Sequence, residues 1–425
     1  MSAPRTAVVI GGGVAGLCSA YYLRQRDVDV TVLEADTVGS GASWGNGGWV
    51  CPAQAGPLPE PGLTWYGLRS LLDRRSALYF KPSKLPALTP WLLKFWTYCN
   101  ARDHEHGVRS LASLGRDVFD LVEEMRQDGV EFELHRQGML VAAREPATAR
   151  NELSKLQPMR AFGYEIPDDI VVDGDLHAAE PALGDDVRGG FEVHQHWHVR
   201  PDSFTAGLAA ALRRMGVEIV EHEHVTGFER SNGRLASVRT SNGTRSADVF
   251  MLAAGAWSTP LARMLGVNLR VEAGKGYSFF VRPTVMPRHS ILLADVHVGC
   301  TPLGDQMRIG GTMEFSGLNT DLDHRRIGDI TTAARGAFQP WEPGDIEQAW
   351  AGMRPITPDG LPTLDRIALP NLYVASGYAM QGVTLAPPAG KAMAEFMTTG
   401  RRPDLLAPFG AARLDGRRHQ EPARA

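Results

Sequence analysis

Residues 6–16 read Thr-Ala-Val-Val-Ile-Gly-Gly-Gly-Val-Ala-Gly, and Glu34 follows eighteen positions after the last glycine. Thr6 to Ile10 is a short apolar run that breaks into Gly11-Gly12-Gly13, after which Val14, Leu17, Cys18 and Tyr21 recur at helical spacing. A second apolar run, Val30 to Leu33, ends at Glu34, so the segment reads strand, turn, helix, strand. In that context Gly11, Gly13 and Gly16 satisfy G-x-G-x-x-G. Gly11 permits the tight turn, Gly13 lets a pyrophosphate approach the backbone, and Gly16 lets the helix pack on the strand. The helix N-terminus favours negative charge, and Glu34 is placed to accept hydrogen bonds from a ribose. The fold class is therefore α/β with a Rossmann-type domain; the turn alone does not choose between NAD and FAD.

Outward from this unit, 425 residues suffice for two or three domains, and 43% hydrophobic against 22% charged residues describes an ordinary globular chain. With 44 basic and 48 acidic residues the net charge is −4, so the basic field that a nucleic acid partner requires is absent. Cys18, Cys51, Cys99 and Cys300 lie far apart without a C-x-x-C pair, which points to a reducing, cytoplasmic setting and to no thiolate metal site. Neither a secretion signal nor an apolar run of ~20 residues is present. His194, His196 and His198 read as one face of a strand, and His222 with His224 as a second pair. Lacking carboxylates or cysteines at ligand spacing, they imply no metal.

Gly39 to Gly48 is mostly small residues and reads as a binding loop. Residues 57–98 read as an insertion, in which Trp65, Tyr66, Tyr79, Phe80, Trp91, Phe95, Trp96 and Tyr98 interleave with Arg69, Arg74, Arg75, Lys81, Lys84 and Lys94. That mixture suits peripheral contact with the inner face of a membrane, or a lid or subunit contact that buries the same rings; six prolines interrupt any continuous amphipathic helix. Val108 to Met125 has the spacing of one long helix, and Phe132 to Ala143 alternates like a strand around Gly138. A helix from Asp202 leads into strands at 218–220, 227–229 and 235–240, read as a small meander. A buried strand ends at Gly255, a second sheet is implied between Val267 and Thr312, and 321–338 looks helical. Asn371 to Ser376 is again strand-like and passes through Gly377 into a helix from about Ala386 to Met397.

Several longer strings carry a resemblance: Glu34 through Gly39 and Ser43 to Trp49; Val225 to Gly255, with Leu252-Ala253-Ala254-Gly255-Ala256-Trp257; Gly274-Lys275-Gly276-Tyr277-Ser278; and Gly352 to Leu385, with Gly352-Met353-Arg354-Pro355-Ile356-Thr357-Pro358-Asp359-Gly360. Across most of its length the chain resembles the FAD-dependent D-amino-acid oxidase superfamily, nearest to its D-amino-acid dehydrogenase branch, with a C-terminal motif similar to glycine oxidases. The resemblance implies a glutathione-reductase-like FAD-binding domain from 1–50, 150–265 and 345–408. A largely antiparallel substrate domain would take 51–149 and 266–344, and 409–425 would be a disordered tail. It further implies FAD contacts at Glu34, Ala35, Ala42, Ser43, Gly47, Gly48, Trp49 and Val225, beside Gly255, and along Gly377, Tyr378, Gln381, Gly382, Val383 and Thr384. That last stretch opens the final helix, whose positive end would also stabilise a reduced, anionic flavin. Covalently flavinylated members use a C-terminal cysteine and none follows Cys300, so the FAD is expected to be non-covalent.

Arg354 matches the arginine that holds the substrate carboxylate in this superfamily, a bidentate task suited to a guanidinium; the competing reading pairs it with Asp359. Tyr277 either donates its hydroxyl to substrate or flavin or packs in the sheet. Tyr378 replaces the histidine of D-amino-acid dehydrogenases and Met380 the second arginine of glycine oxidases, a change that suits a larger or more apolar side chain. The implied reaction is oxidation of the Cα–N bond of an amino acid, D or cyclic or N-substituted, by hydride transfer to flavin N5. The imine then hydrolyses or cyclises, and no catalytic side chain is required. Electrons would pass to a quinone or to oxygen; the alternative is a glycine- or sarcosine-type oxidase that releases hydrogen peroxide. Oligomeric state is left open.

Overall fold

In the computed structural model, which describes residues 3–64, 67, 76–338 and 346–415, the strand Thr6–Ile10 sits inside a six-stranded sheet. The order is Glu218–Val220, Asp29–Leu33, Thr6–Ile10, Val249–Leu252, Leu372–Ser376 and Thr363–Arg366; all pairs are parallel except the last. The helices Val14–Arg24, Pro201–Arg214 and Gly382–Thr399 cover one face, and the small antiparallel sheet at 225–246 with the helix Ser258–Arg263 covers the other, which is why its central strands are continuous apolar runs. The first helix, Val14–Arg24, packs on the last long one, Gly382–Thr399, so closely that a Cβ on Gly390 would lie 2.9 Å from the Cys18 backbone. That last helix begins four residues before the position read from sequence. Pro387 and Pro388, inside it, remove two backbone donors and disguise its start.

A second sheet has nine strands and is largely antiparallel. Its path runs Glu347–Ile356, Glu272–Val281, Gln306–Phe315, Val298–Leu303, Ser290–Leu293, Met139–Ala143, Gly189–Val193 and Val171–Val172, while Leu78–Phe80 adds in parallel to Gln306–Phe315. The segments 171–193 and 347–356 thus pair with this sheet, not with the nucleotide-binding sheet as the divisions at 150 and 345 implied. Gly189–Val193 pairs with a strand 46–54 residues earlier and Glu347–Ile356 with one 67–84 residues earlier, which local periodicity does not report.

Other local readings change for similar reasons. Glu218–Val220 joins the parallel sheet, and the meander is Val225–Ser231, Arg234–Thr240 and Thr244–Ser246. The long helix is two, Ala101–Gly115 and Val118–Gln127, and the helix read over 321–338 is confined to His324–Ala334. The three spaced histidines straddle a turn between Gly189–Val193 and Trp197–Val199. His194 meets Glu192, His196 is fully buried, and His198 stacks on His135 with ring centroids 4.6 Å apart.

The chain up to Asp415 is packed rather than a free tail. Phe409 is buried, and Arg413 grips Asp359 through Nε–Oδ2 at 2.6 Å and Nη2–Oδ1 at 3.2 Å; residues 416–425 lie outside those described. Removing one partner strands the other charge, so Arg413→Leu should lower the unfolding free energy by about 3–5 kcal/mol in urea titrations. A second buried pairing gives a pH signature. Burial alone would lower His289, but hydrogen bonds to Glu180 and Glu192 outweigh it and raise the imidazole to about 9. A folded pKa above the unfolded value of 6.5 means the stabilisation is complete below that pH and is lost as pH climbs through about 9. Thermal melts of His289→Gln should therefore show a flatter Tm profile across this window than the parent.

Candidate active site

The glycine turn is shaped by close approach. Gly11 has φ +115°, and a Cβ there would press on the Ala253 carbonyl; one on Gly16 would overlap the Gly11 carbonyl oxygen. Glu34 is oriented by its own neighbourhood, since Oε2 accepts from Gly12 N at 2.6 Å and Oε1 from Asp36 N at 3.0 Å. Ser43 Oγ accepts from Val14 N at 2.9 Å, which ties the binding loop to the start of the first helix.

A cavity of about 1070 Å³ runs from this turn to the antiparallel sheet. Gly11, Gly13, Glu34, Ala35, Ala42, Ser43, Gly47, Gly48, Trp49, Val225 and Gly255 line it, as do Tyr378, Gln381, Gly382 and Val383. Gly16, Gly377 and Thr384 do not. Gly16 serves the helix contact, and Gly377, with φ +87°, turns the chain out of the strand Leu372–Ser376. Thr384 Oγ1 donates to Trp49 O at 2.9 Å and accepts from Cys51 N at 3.1 Å, so it clamps the binding loop to the last helix. That helix has no side-chain cap and no acidic residue in its first turn, which leaves its positive end for a ligand. A steric cradle for phosphates, a carboxylate for ribose and a second helix N-terminus within one continuous cavity fit FAD.

At the far end, Arg354 comes from the strand Glu347–Ile356 and its guanidinium lies over Gly276, where any Cβ would overlap it. Nη1 donates to Thr312 O at 2.7 Å. Thr312 has φ +68°, a costly conformation for a β-branched residue, and lies in a bulge where Thr312 and Met313 oppose Gly276 alone. The bulge aims that carbonyl at the arginine. Asp359 belongs to Arg413, and among the described residues no carboxylate lies within 4.0 Å of Arg354. Burial lowers Arg354 to about 10, as expected of a cation set inside the protein without an anion beside it.

The tyrosines and Met380 take unequal parts. Tyr277 lines the cavity, but its hydroxyl donates to Glu314 Oε2 at 2.9 Å, and Glu314 also meets Lys275 at 3.2 Å. Its hydroxyl is thus spent within a buried network. Tyr378 is buried at the cavity wall, whereas Met380 is 57% exposed and sits at the rim. Two residues went unnoticed in the sequence. Arg308 donates to Trp44 O at 2.6 Å and Asn46 O at 3.1 Å and lies against the rings of Trp44 and Phe280, bracing the binding loop. The Trp350 indole occupies space that a Cβ on Gly45 or Gly352 would fill. Glycines interrupting strands, Gly310-Gly311 and Gly352, were the available clue.

In the segment 57–98, Trp65, Tyr66, Arg69, Arg74 and Arg75 lie outside the described residues. Phe80, Trp91 and Phe95 are buried and line the cavity, so these rings turn inward instead of toward a membrane. Among the described residues no helix is long and apolar enough to cross a membrane, and no cluster of three His, Cys, Asp or Glu is arranged for a metal.

A family model for FAD dependent oxidoreductases matches residues 6–396. The D-amino acid dehydrogenase of Rhizorhabdus wittichii is 30% identical over 408 residues, 94% of this chain and 97% of that one. The enzyme of the same name from Methylobacterium nodulans is 31% identical over 412 residues, 94% and 96% of the two chains. Among solved structures, glycine oxidase from Geobacillus kaustophilus superposes with a TM-score of 0.75 at 22% identity, over 97% of this chain and 99% of that one; at that identity the likeness concerns the fold. The cradle, the carboxylate and the extent of these matches agree: the chain belongs to the FAD-dependent oxidoreductase family and is an enzyme whose cofactor is FAD.

Proposed function

We propose that the protein oxidises the Cα–N bond of an amino acid, either a D-amino acid or a related cyclic or N-substituted one, with non-covalent FAD. The observation that carries this reading is Arg354, a guanidinium inside the cavity with one backbone acceptor and no anion. A bidentate substrate carboxylate would relieve that cost. FAD, when bound, supplies the two-electron oxidant. The chain's own residues bind and orient. Thr312 O fixes one edge of the guanidinium, Gly276 leaves it room, and the sheet and the 78–98 segment wall the cavity. Tyr277, raised by burial and by Glu314, stays protonated and is no base, so the substrate ammonium gives its proton to solvent before oxidation. The names of the relatives support a dehydrogenase acting on D-amino acids. A glycine- or sarcosine-type oxidase is disfavoured, because Met380 stands where glycine oxidases carry their second arginine. Cys51 lines the cavity, but burial pushes its thiol up to about 12, which suits a non-covalent flavin.

Acid precipitation of the purified protein should release its yellow colour to the supernatant; colour retained in the pellet would overturn the non-covalent assignment. Arg354→Met should cut kcat/KM for the best amino acid by about two to three orders of magnitude with FAD still bound. Gly276→Ala, which displaces the same guanidinium, should act in the same direction, and normal efficiency in both flavinated variants would remove Arg354 from the site. Anaerobic reduction followed by mixing with oxygen or a soluble quinone analogue separates the two acceptors by reoxidation rate.

A further inference from the structure

We infer that the substrate carries a large, uncharged aromatic side chain, received by a wall that the helix Leu85–Tyr98 builds beside Arg354; this rests on the amino-acid reading above. Arg354 and Ile356 share one face of their strand, and Ile356 is fully buried in a cluster with Phe80, Trp91, Phe95 and Phe315. Thr312, which holds Arg354, is followed by Met313, and the register Met313↔Leu78 and Phe315↔Phe80 draws the 78–80 strand to the same place. The space next to the carboxylate anchor is therefore bounded by rings and a thioether. Phe80 and Phe315 stack at 5.3 Å, Trp91 and Phe95 at 5.3 Å, and Trp91 meets Phe315 at 5.5 Å; Phe80, Trp91, Phe95, Met313 and Phe315 all line the cavity.

This wall is held in place. On the helix Leu85–Tyr98, Leu88, Trp91 and Phe95 form the buried stripe, Trp91 Nε1 donates to Arg270 O at 2.8 Å, and Tyr98 OH donates to Arg413 O at 3.3 Å. With its N–H spent on Arg270, the Trp91 indole has only carbon to offer. Behind the wall, Lys275 and Glu314 of the sheet and Arg326 of the helix His324–Ala334 satisfy one another, with Nζ–Oε1 at 3.2 Å and Nε–Oε2 at 3.8 Å, and none lines the cavity; Glu60 and Glu152, which do line it, are taken up by Lys155 at 3.4 and 2.9 Å. A charged substrate side chain would be buried there without a counter-ion, and a small one would leave the rings facing empty space. A planar ring gains offset or edge-to-face contacts on several sides.

The test uses the holoenzyme under anaerobic conditions, with flavin bleaching followed for both enantiomers of phenylalanine, tryptophan, alanine, aspartate and lysine. One enantiomer of an aromatic amino acid should exceed alanine in kcat/KM by at least about tenfold and the charged ones by at least about a hundredfold. Alanine or a charged amino acid performing as well would overturn the inference while leaving Cα–N oxidation standing. If none of these bleaches the flavin, oxidation of primary amino acids falls, and calorimetry with two unreactive acids decides the wall on its own. Binding of 3-phenylpropanoate at least about tenfold tighter than propanoate supports it, and equal affinities overturn it. Trp91→Ala should lower the phenylalanine-to-alanine ratio of kcat/KM by about tenfold. Phe95→Leu, a milder change, should move the ratio in the same direction if the first variant does not fold.

Discussion

A guanidinium kept in a cavity without an anion costs free energy that only the surrounding fold can offset, and much of the substrate half is arranged around that one group. Gly276 must lack a side chain, Thr312 must accept a left-handed backbone conformation, and the strand Gln306–Phe315 must bulge to aim its carbonyl. Asp359, the nearest acid along the chain, is withdrawn by Arg413, so Arg354 is not neutralised from within. The same logic extends to the other buried cations. Arg308 is consumed by the binding loop and Lys275 by Glu314, which leaves Arg354 as the one poised for a ligand anion among these three.

The two ends of the cavity are coupled through short polar ties. Thr384 joins the last helix to the strand after the binding loop, Ser43 joins that loop to the first helix, and Ser278 Oγ donates to Gly45 O at 2.7 Å from the antiparallel sheet. A flexible small-residue loop thereby acquires fixed positions on three sides. Its glycines serve different ends: Gly45 makes room for the Trp350 indole, whereas Gly48, with φ +71°, abuts the Val199 carbonyl.

How much of this was legible in the sequence follows from the range of each interaction. The strand, glycine turn and helix at 6–24 could be read because the apolar run, the glycine spacing and the helical period all fall within that stretch, although the group that crowds Gly11 is Ala253. The parallel core announced itself through apolar runs. Membership of Gly189–Val193 or Glu347–Ile356 in one sheet or the other depends on partners far along the chain, and no local pattern encodes it. Residues 409–415 looked like a solvated, arginine-bearing tail because the acid that receives Arg413 lies 54 positions earlier. The mixture of rings and bases in 57–98 was ambiguous because composition does not say which way a ring points. Trp91 and Phe95 point inward, since the strand Leu78–Phe80 carries their helix over the large sheet.

The distance along the chain between cooperating parts also sets a timetable for biosynthesis. The glycine turn, made within the first twenty residues, leans on Ala253 and on a helix that ends at Thr399, and the segment bearing Arg354 is locked by Arg413. A growing polypeptide can close neither half of the cavity until the stretches that reach Thr399 and Arg413 have left the ribosome. Flavin capture then waits on those stretches, and products terminated before them lack the cavity that would hold the flavin.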